Sequence, residues 1–312
     1  FGGGFIISLM VRPLVKFFGG DDEVVGFQAT MAVFGVLSIV FFLLTYVTTR
    51  ERVAPQLNQN VSVMEDLRLL VRNIPWIIML AAAVCTLASV AVRGAVTIHY
   101  FKYYVGNSEQ SVFSLGQAGS AFFLNFDVTT MFLSSGMLAF ILGVTFSGAL
   151  GRLLGKRNAL AILTLANGLA IIGFFFIPPE KTVLMFGVNL LANLLAGPTP
   201  ALVWALYTDV ADYGEWKFGR RATGLVFSGA MFAQKMGLTI GGTISGWILG
   251  FSGFVANEEQ SPESLMGIRI MFCLIPGALA LLNGVIIIFY PLNTAKTEEM
   301  HRELQRMREE AA

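Results

Sequence analysis

Long apolar runs separated by short charged stretches set the pattern of this chain. Uncharged runs cover 26–47, 128–150, 158–179, 182–208 and 270–295. Two more, 76–100 and 222–257, are each interrupted by one basic residue, Arg93 and Lys235. The opening stretch, 1–18, carries Arg12 and Lys16. A bilayer core about 30 Å thick takes roughly 20 apolar residues in a helix, so the pattern predicts eight membrane-spanning helices. Alternation at strand length is absent, which argues against a β-barrel. One stretch fits poorly. Residues 112–150 are almost continuously apolar and broken only by Asp127. A helix is expected after Asp127, with 111–126 as an outer hairpin or partly inserted segment.

Composition sharpens this. Hydrophobic residues make up 55% of the 312-residue chain and charged residues 13%, against about a quarter charged in soluble domains. Two soluble domains are excluded, because polar surface to cover them is lacking. A net charge of +1 gives no reason to expect nucleic-acid binding. Cys85 and Cys273 lie in apolar runs and imply neither a disulfide framework nor a metal cluster. No signal peptide is visible ahead of the first run. Because Phe1 is not an initiator Met, the chain is expected to be a piece of a longer membrane protein.

Loop charge predicts orientation. One set of connections holds Arg50, Arg52, Arg68 and Arg72; Arg152, Lys156 and Arg157; Lys217, Arg220 and Arg221; and the tail residues Lys296, Arg302, Arg306 and Arg308. The opposite set is mostly acidic. The positive-inside rule puts the first set in the cytoplasm, together with both ends of the chain. The expected organisation is two helices over 1–48, a cytoplasmic linker over 49–75, six helices over 76–292 and a cytoplasmic tail over 293–312. Within the linker, Ser62-Val-Met-Glu65 has the spacing of a capping box. In the tail, Met300, Leu304 and Met307 share one helical face, and Glu298 stands four residues before Arg302. Both short helices are expected to lie solvated, without a partner.

Polar residues inside the apolar runs are costly and therefore informative. Lys235 lies 13 residues beyond Ala222, roughly 15–20 Å from the nearer helix ends. A central lysine costs about 2.5–3.5 kcal/mol on insertion scales, so it is expected to face a hydrated, protein-lined cavity with an anionic partner; a lysine that only ties helices together is the competing reading. The same run spaces Gly237, Gly241, Gly242, Gly246 and Gly250 for close helix packing. Arg93 fits two readings, a cavity-facing group or one that snorkels to the outer surface. His99 is expected to be a satisfied interfacial imidazole. In 182–208, Gly197-Pro198-Thr199-Pro200 predicts a broken helix. Trp204 just beyond it suits either stacking on a sugar face or packing at the inner interface.

The cytoplasmic stretch Asp209-Val-Ala-Asp212-Tyr-Gly-Glu215-Trp-Lys217-Phe-Gly-Arg220-Arg221 is dense in both signs. Asp209 and Asp212 share a helical face and can reach Arg152, Lys156 and Arg157 in the other short inner loop. An isolated surface pair contributes little; opposed charged loops at one helix mouth suit a latch that breaks and re-forms.

At these residues the chain resembles the glycoside–pentoside–hexuronide:cation symporters, a melibiose-carrier-like family of the major facilitator superfamily. The matching segments are Thr208–Lys217, Gly219–Ser228 and Phe232–Gly237, supported by Tyr100–Gly106, Gly253–Gln260 and Phe18–Asp21. The resemblance implies an all-α membrane fold of twelve helices in two bundles, of which this chain is similar to helices 5 to 12: the end of the amino-terminal bundle and a complete six-helix carboxy-terminal bundle. It also implies symport of a sugar or glycoside with a monovalent cation, Na⁺, H⁺ or Li⁺, by alternating access, in a monomeric carrier of a bacterial inner membrane. Lys235 matches the family lysine near the sugar and cation sites, with Gln234 beside it. Asp209, Asp212, Glu215 and Arg221 match the cytoplasmic gate, with Lys156 and Arg157 on its basic side. The family's cation-binding aspartates lie in the first four helices and at the start of the fifth, so the coupling cation is expected to be held mainly outside this chain. No other cofactor is implied, and Trp204 does not align with the family's helix-10 tryptophan.

Two other readings compete. One keeps the fold and carries a lysophospholipid. The other is an intramembrane transferase with Mg²⁺ on Asp209 and Asp212; against it, a single such pair exists and basic residues adjoin it, so the chain is not expected to be an enzyme.

Overall fold

The computed structural model describes residues 2–20, 22–49, 63–106, 110–115 and 124–310. Packing divides the chain into two units, 1–61 with 109–137 and 62–108 with 138–312.

The first unit is built on helices α1 (Gly2–Gly19) and α2 (Glu23–Thr48). Their turn is tight because Asp22 caps α2, accepting from the backbone N–H of Val24 and Val25 at 2.9 and 3.2 Å. Two glycines let the helices touch: a Cβ on Gly26 would collide with the Val15 carbonyl, and one on Gly19 would lie 2.6 Å from the Gly26 nitrogen. Strands β1 (Ser111–Leu115) and β2 (Leu124–Asp127) pair antiparallel, which gives the hairpin expected before Asp127. Asp127 itself is buried. Its carboxylate accepts from the Thr130 N–H at 2.8 Å, capping the next helix, and pairs with Arg12 at 2.7 Å.

Helix α5 (Val128–Val144) begins at that cap and leads through a bend of 51° into α6 (Ser147–Leu154). The second unit also contains α3 (Val63–Val71), α4 (Ile74–His99), α7 (Lys156–Gly173), α8 (Thr182–Ala196), α9 (Thr199–Phe218), α10 (Thr223–Phe251), α11 (Pro262–Arg269), α12 (Ile275–Ile288) and α13 (Thr294–Glu310). The Ser62–Glu65 capping box falls outside the residues whose side chains are described. Small residues set the packing. On α10, Gly237 and Gly241 face α4, where a Cβ would lie 2.7 Å from the Val84 carbonyl and 2.6 Å from the Ala88 carbonyl. Gly242, Gly246 and Gly250 have open space instead, so only part of the glycine pattern is a helix seam.

Two helix breaks meet back to back. The α5–α6 bend and the Gly197–Pro198 break between α8 and α9 touch through Gly143 and Gly197; a Cβ on Gly197 would run into the Phe140 carbonyl and lie 2.7 Å from the Gly143 Cα. Single π-helical turns follow α4 (Tyr100–Val105) and precede α12 (Ile270–Leu274), and the hydrophobic pattern does not signal either one. The second stands just before Pro276, which cannot donate to the preceding turn.

Among the described residues, six helices are long and apolar enough to cross a membrane, or seven if the bent pair is one span. The eighth expected span, α10, is a continuous 29-residue helix but is not among them. Gln234, Lys235, Thr239, Thr243 and its glycines dilute its apolar character. The segment expected as a charged loop over 209–221 is helical as far as Phe218, ending at Gly219 with φ of 69°. Together α8 and α9 cover 37 residues, roughly 55 Å of helix. That exceeds the bilayer core, so the charged turns of α9 extend beyond it.

The tail corrects a second expectation. Helix α13 is docked rather than solvated: Met300 is 0% and Leu304 3% exposed, both packed into the core cluster with Leu206, Val210 and Tyr290, while Met307 stays outside. Arg302 meets the backbone carbonyl of Glu298 rather than its carboxylate.

Replacing Gly241 by Ala is expected to destabilise the protein by about 1–3 kcal/mol through overpacking, against a helix-propensity gain of at most about 1 kcal/mol. Thermal unfolding in detergent measures the net loss; an unchanged or higher melting temperature would contradict the seam.

Candidate functional site: a charged cluster at the inner end of α9

The cluster is assembled by three local devices. Gly155 takes φ of 78° between α6 and α7, with the Thr294 hydroxyl filling the space of its missing Cβ. This places Lys156 at the first position of α7, beside the start of α13. Asn73, 1% exposed, caps α4 by accepting from the Trp76 N–H at 3.2 Å and donates its amide to the Val210 carbonyl at 3.2 Å. It thereby ties α4 to the turn of α9 that carries the carboxylates. Below that turn, Tyr207 is fully buried and donates to the Met79 carbonyl.

On this frame Asp209 is 2% exposed and receives both contacts of the Lys156 ammonium, at 2.8 and 2.7 Å. Asp212 pairs with Arg221 at 2.8 Å, and Glu215 stands 3.8 Å from the same guanidinium. Within the second unit, two carboxylates one helical turn apart thus each have their own cation. His301 of α13 joins them, its Nε2 lying 3.5 Å from Asp212 and 3.9 Å from Asp209. Trp216 on α9 donates its indole N–H to Glu303 of α13. The ligand atoms of Asp209, Asp212 and His301 lie within 4.8 Å of one another, near enough to share a metal ion. Lys156 and Arg221 already neutralise both carboxylates, however, and a divalent ion would have to displace them. This also weakens the Mg²⁺-transferase reading.

The contacts shown for the other expected gate residues are different ones. Arg152 is exposed and makes no ion pair among the described residues. Arg157 turns away from the carboxylates and donates to the Ile288 carbonyl. Lys217 sits on Tyr213, 3.0 Å from its hydroxyl. Arg220 is partly buried beside Gly214, where its carbonyl would lie 3.3 Å from a Cβ.

The intramembrane residues separate as well. Lys235 is exposed on α10, with no carboxylate partner among the described residues, and Gln234 beside it is partly buried. Ser228, Thr239, Gly242 and Gly246 stand on the same face at helical spacing and are also exposed. The anionic partner expected for Lys235 is not among the described residues. Arg93 is partly buried. Its guanidinium packs between the rings of Phe174 and Phe272, 4.9 and 4.8 Å from their centroids, the arrangement a flat, weakly hydrated cation favours. Trp204 is 38% exposed and stacks on Phe227, ring centroids 5.8 Å apart at 17°, so it combines packing with an open ring face. His99 packs against Phe254 and Tyr103.

Sequence reasoning missed Asn73 and His301. The Asn73-Ile-Pro-Trp opening carries an N-cap signal that was available. His301 carries none, because its role depends on the docking of α13.

The chain matches the MFS/sugar transport protein family over residues 1–294. It belongs to that family. It is thus a multi-pass membrane protein of a transporter fold. It is 33% identical over 303 residues to a putative glycoside/cation symporter, YagG, of Escherichia coli (strain K12). It is also 28% identical over 314 residues to an isoprimeverose transporter of Lactiplantibacillus pentosus, and 28% identical over 301 residues to a glucuronide carrier protein homolog of Escherichia coli (strain K12). These alignments cover 97%, 96% and 96% of this chain and 62%, 61% and 61% of the relatives, so the chain spans about three fifths of their length.

Replacing Lys156 by Met leaves Asp209 buried without its cation. The expected cost is about 1–3 kcal/mol, reduced from that of a fully buried pair because the ammonium is partly solvated. The double change Lys156→Met with Asp209→Asn is expected to recover most of it. Thermal unfolding of the three proteins tests this; a double variant no more stable than Lys156→Met would contradict it.

Proposed function

We propose that this chain is the carboxy-terminal part of a symporter that carries a sugar or glycoside together with Na⁺ or H⁺ by alternating access. The observation that carries this reading is Lys235, a cation on an open, small-residue face of a long helix with no counter-charge among the described residues. Such a group calls for an anionic, hydrated partner across a cavity. Carboxylates facing it would be shared between the ammonium and a coupling cation. Cation binding then changes sugar affinity, and linkage requires the sugar to change cation affinity by the same factor. The cluster at Asp209 and Asp212 acts as the inner gate, its pairs breaking as the inner mouth opens. Trp204, with one ring face open beside Phe227, offers a surface for the C–H face of a pyranose.

The test is uptake into proteoliposomes by the purified full-length carrier, with isoprimeverose, a methyl glucuronide and melibiose supplied in turn under an imposed Na⁺ or H⁺ gradient. Accumulation of at least one sugar that depends on the gradient is expected, and Lys235→Val is expected to lower it at least about tenfold, the effect of roughly 1.4 kcal/mol. Undiminished accumulation by that variant would overturn the role of Lys235. Uptake of lysophospholipid in place of any sugar would overturn the substrate class.

A further inference from the structure

We infer that His301 is a positioning residue of the inner gate, through which the carboxy-terminal helix holds Asp209 and Asp212 in place. The inference rests on reading that charged cluster as a gate. Helix α13 reaches the cluster through one side chain. His301 is flanked by Met300, fully buried, and followed one turn later by Leu304, 3% exposed. Those two apolar anchors fix the helix on α9, and the Trp216–Glu303 contact fixes its rotation. The imidazole is thereby held against two carboxylates one turn apart, 3.5 Å from Asp212 and 3.9 Å from Asp209, while remaining 47% exposed itself.

Each carboxylate has its main cation on a different element. Lys156 opens α7, and Arg221 lies in the turn between α9 and α10. Neither cation spans the pair. His301 faces both, so it keeps the two acids aligned on one side of α9 whichever cation has let go. Its distances are longer than those of the direct ion pairs and beyond normal hydrogen-bond length, so it is a polar neighbour of both acids and not the main cation of either.

Hydrogen–deuterium exchange of the detergent-purified full-length carrier tests the inference without a substrate. The readout compares residues 209–222 with residues 294–310 in wild type, His301→Leu and His301→Lys. His301→Leu keeps the bulk but removes the polar contact, and is expected to speed exchange in 209–222 by about two- to fivefold, the span of a partly exposed ion pair. Protection of 294–310 should persist, because Met300 and Leu304 are untouched. His301→Lys restores a donor and is expected to exchange as wild type does. Wild-type exchange in His301→Leu, or equal acceleration in both variants, overturns the inference. Failure of the gate reading is separable: sugar uptake would then survive both Lys156→Met and Arg221→Met, however the His301 variants exchange.

Discussion

A carboxylate shut away from water must keep its cation close, and the inner end of this bundle is organised by that constraint. Asp209 is 2% exposed, and a lone charge at such a depth is too costly to tolerate. Lys156 therefore has to stand at the first position of α7, which obliges the chain to turn sharply at Gly155. Thr294 occupies the room left there, and α13 starts from it. One desolvated acid thus dictates the turn between α6 and α7 and the place from which the tail helix departs.

The same economy explains which charges gather and which do not. Asp212, Glu215 and Arg221 share the exposed flank of α9 and its following turn, where solvent screens them and the pairs exchange easily. Arg93 lies deeper and is treated differently. No carboxylate is supplied to it among the described residues, and it rests between two phenyl rings instead. Ionic contacts gather at the end of α9, with the Arg12–Asp127 pair of the first unit as a separate one. Of the other cations within the helices, Arg93 is stacked on aromatic rings and Lys235 is exposed.

Much of this was legible before any coordinates. Apolar run length located the helices, and Asp127, the one charge in 112–150, marked where α5 begins. The Gly-Pro-Thr-Pro break followed from residue type and spacing, whereas for Asp209 the spacing left Arg152, Lys156 and Arg157 all within reach. What was not legible depends on packing. Charged residues over 209–218 read as a loop, yet helix hydrogen bonding continues through them because their partners lie across the helix gap. The tail read as solvated because its apolar face holds only Met300, Leu304 and Met307 among charged residues. Met300 and Leu304 nevertheless suffice once α9 presents a matching groove, and His301 arrives with them. Both π-turns escape a periodic pattern, since one extra residue in a turn leaves the hydrophobic run unbroken.

The contact between Gly143 and Gly197 has a bearing on inheritance. Gly143 lies beside the bend between α5 and α6 and Gly197 at the break between α8 and α9, and the two rods cross with main chain against main chain. Neither position has room for even a methyl group unless the crossing itself is rebuilt. Descendants of this chain are thus expected to keep both glycines, since a side chain at either one meets backbone that a change at the other does not move.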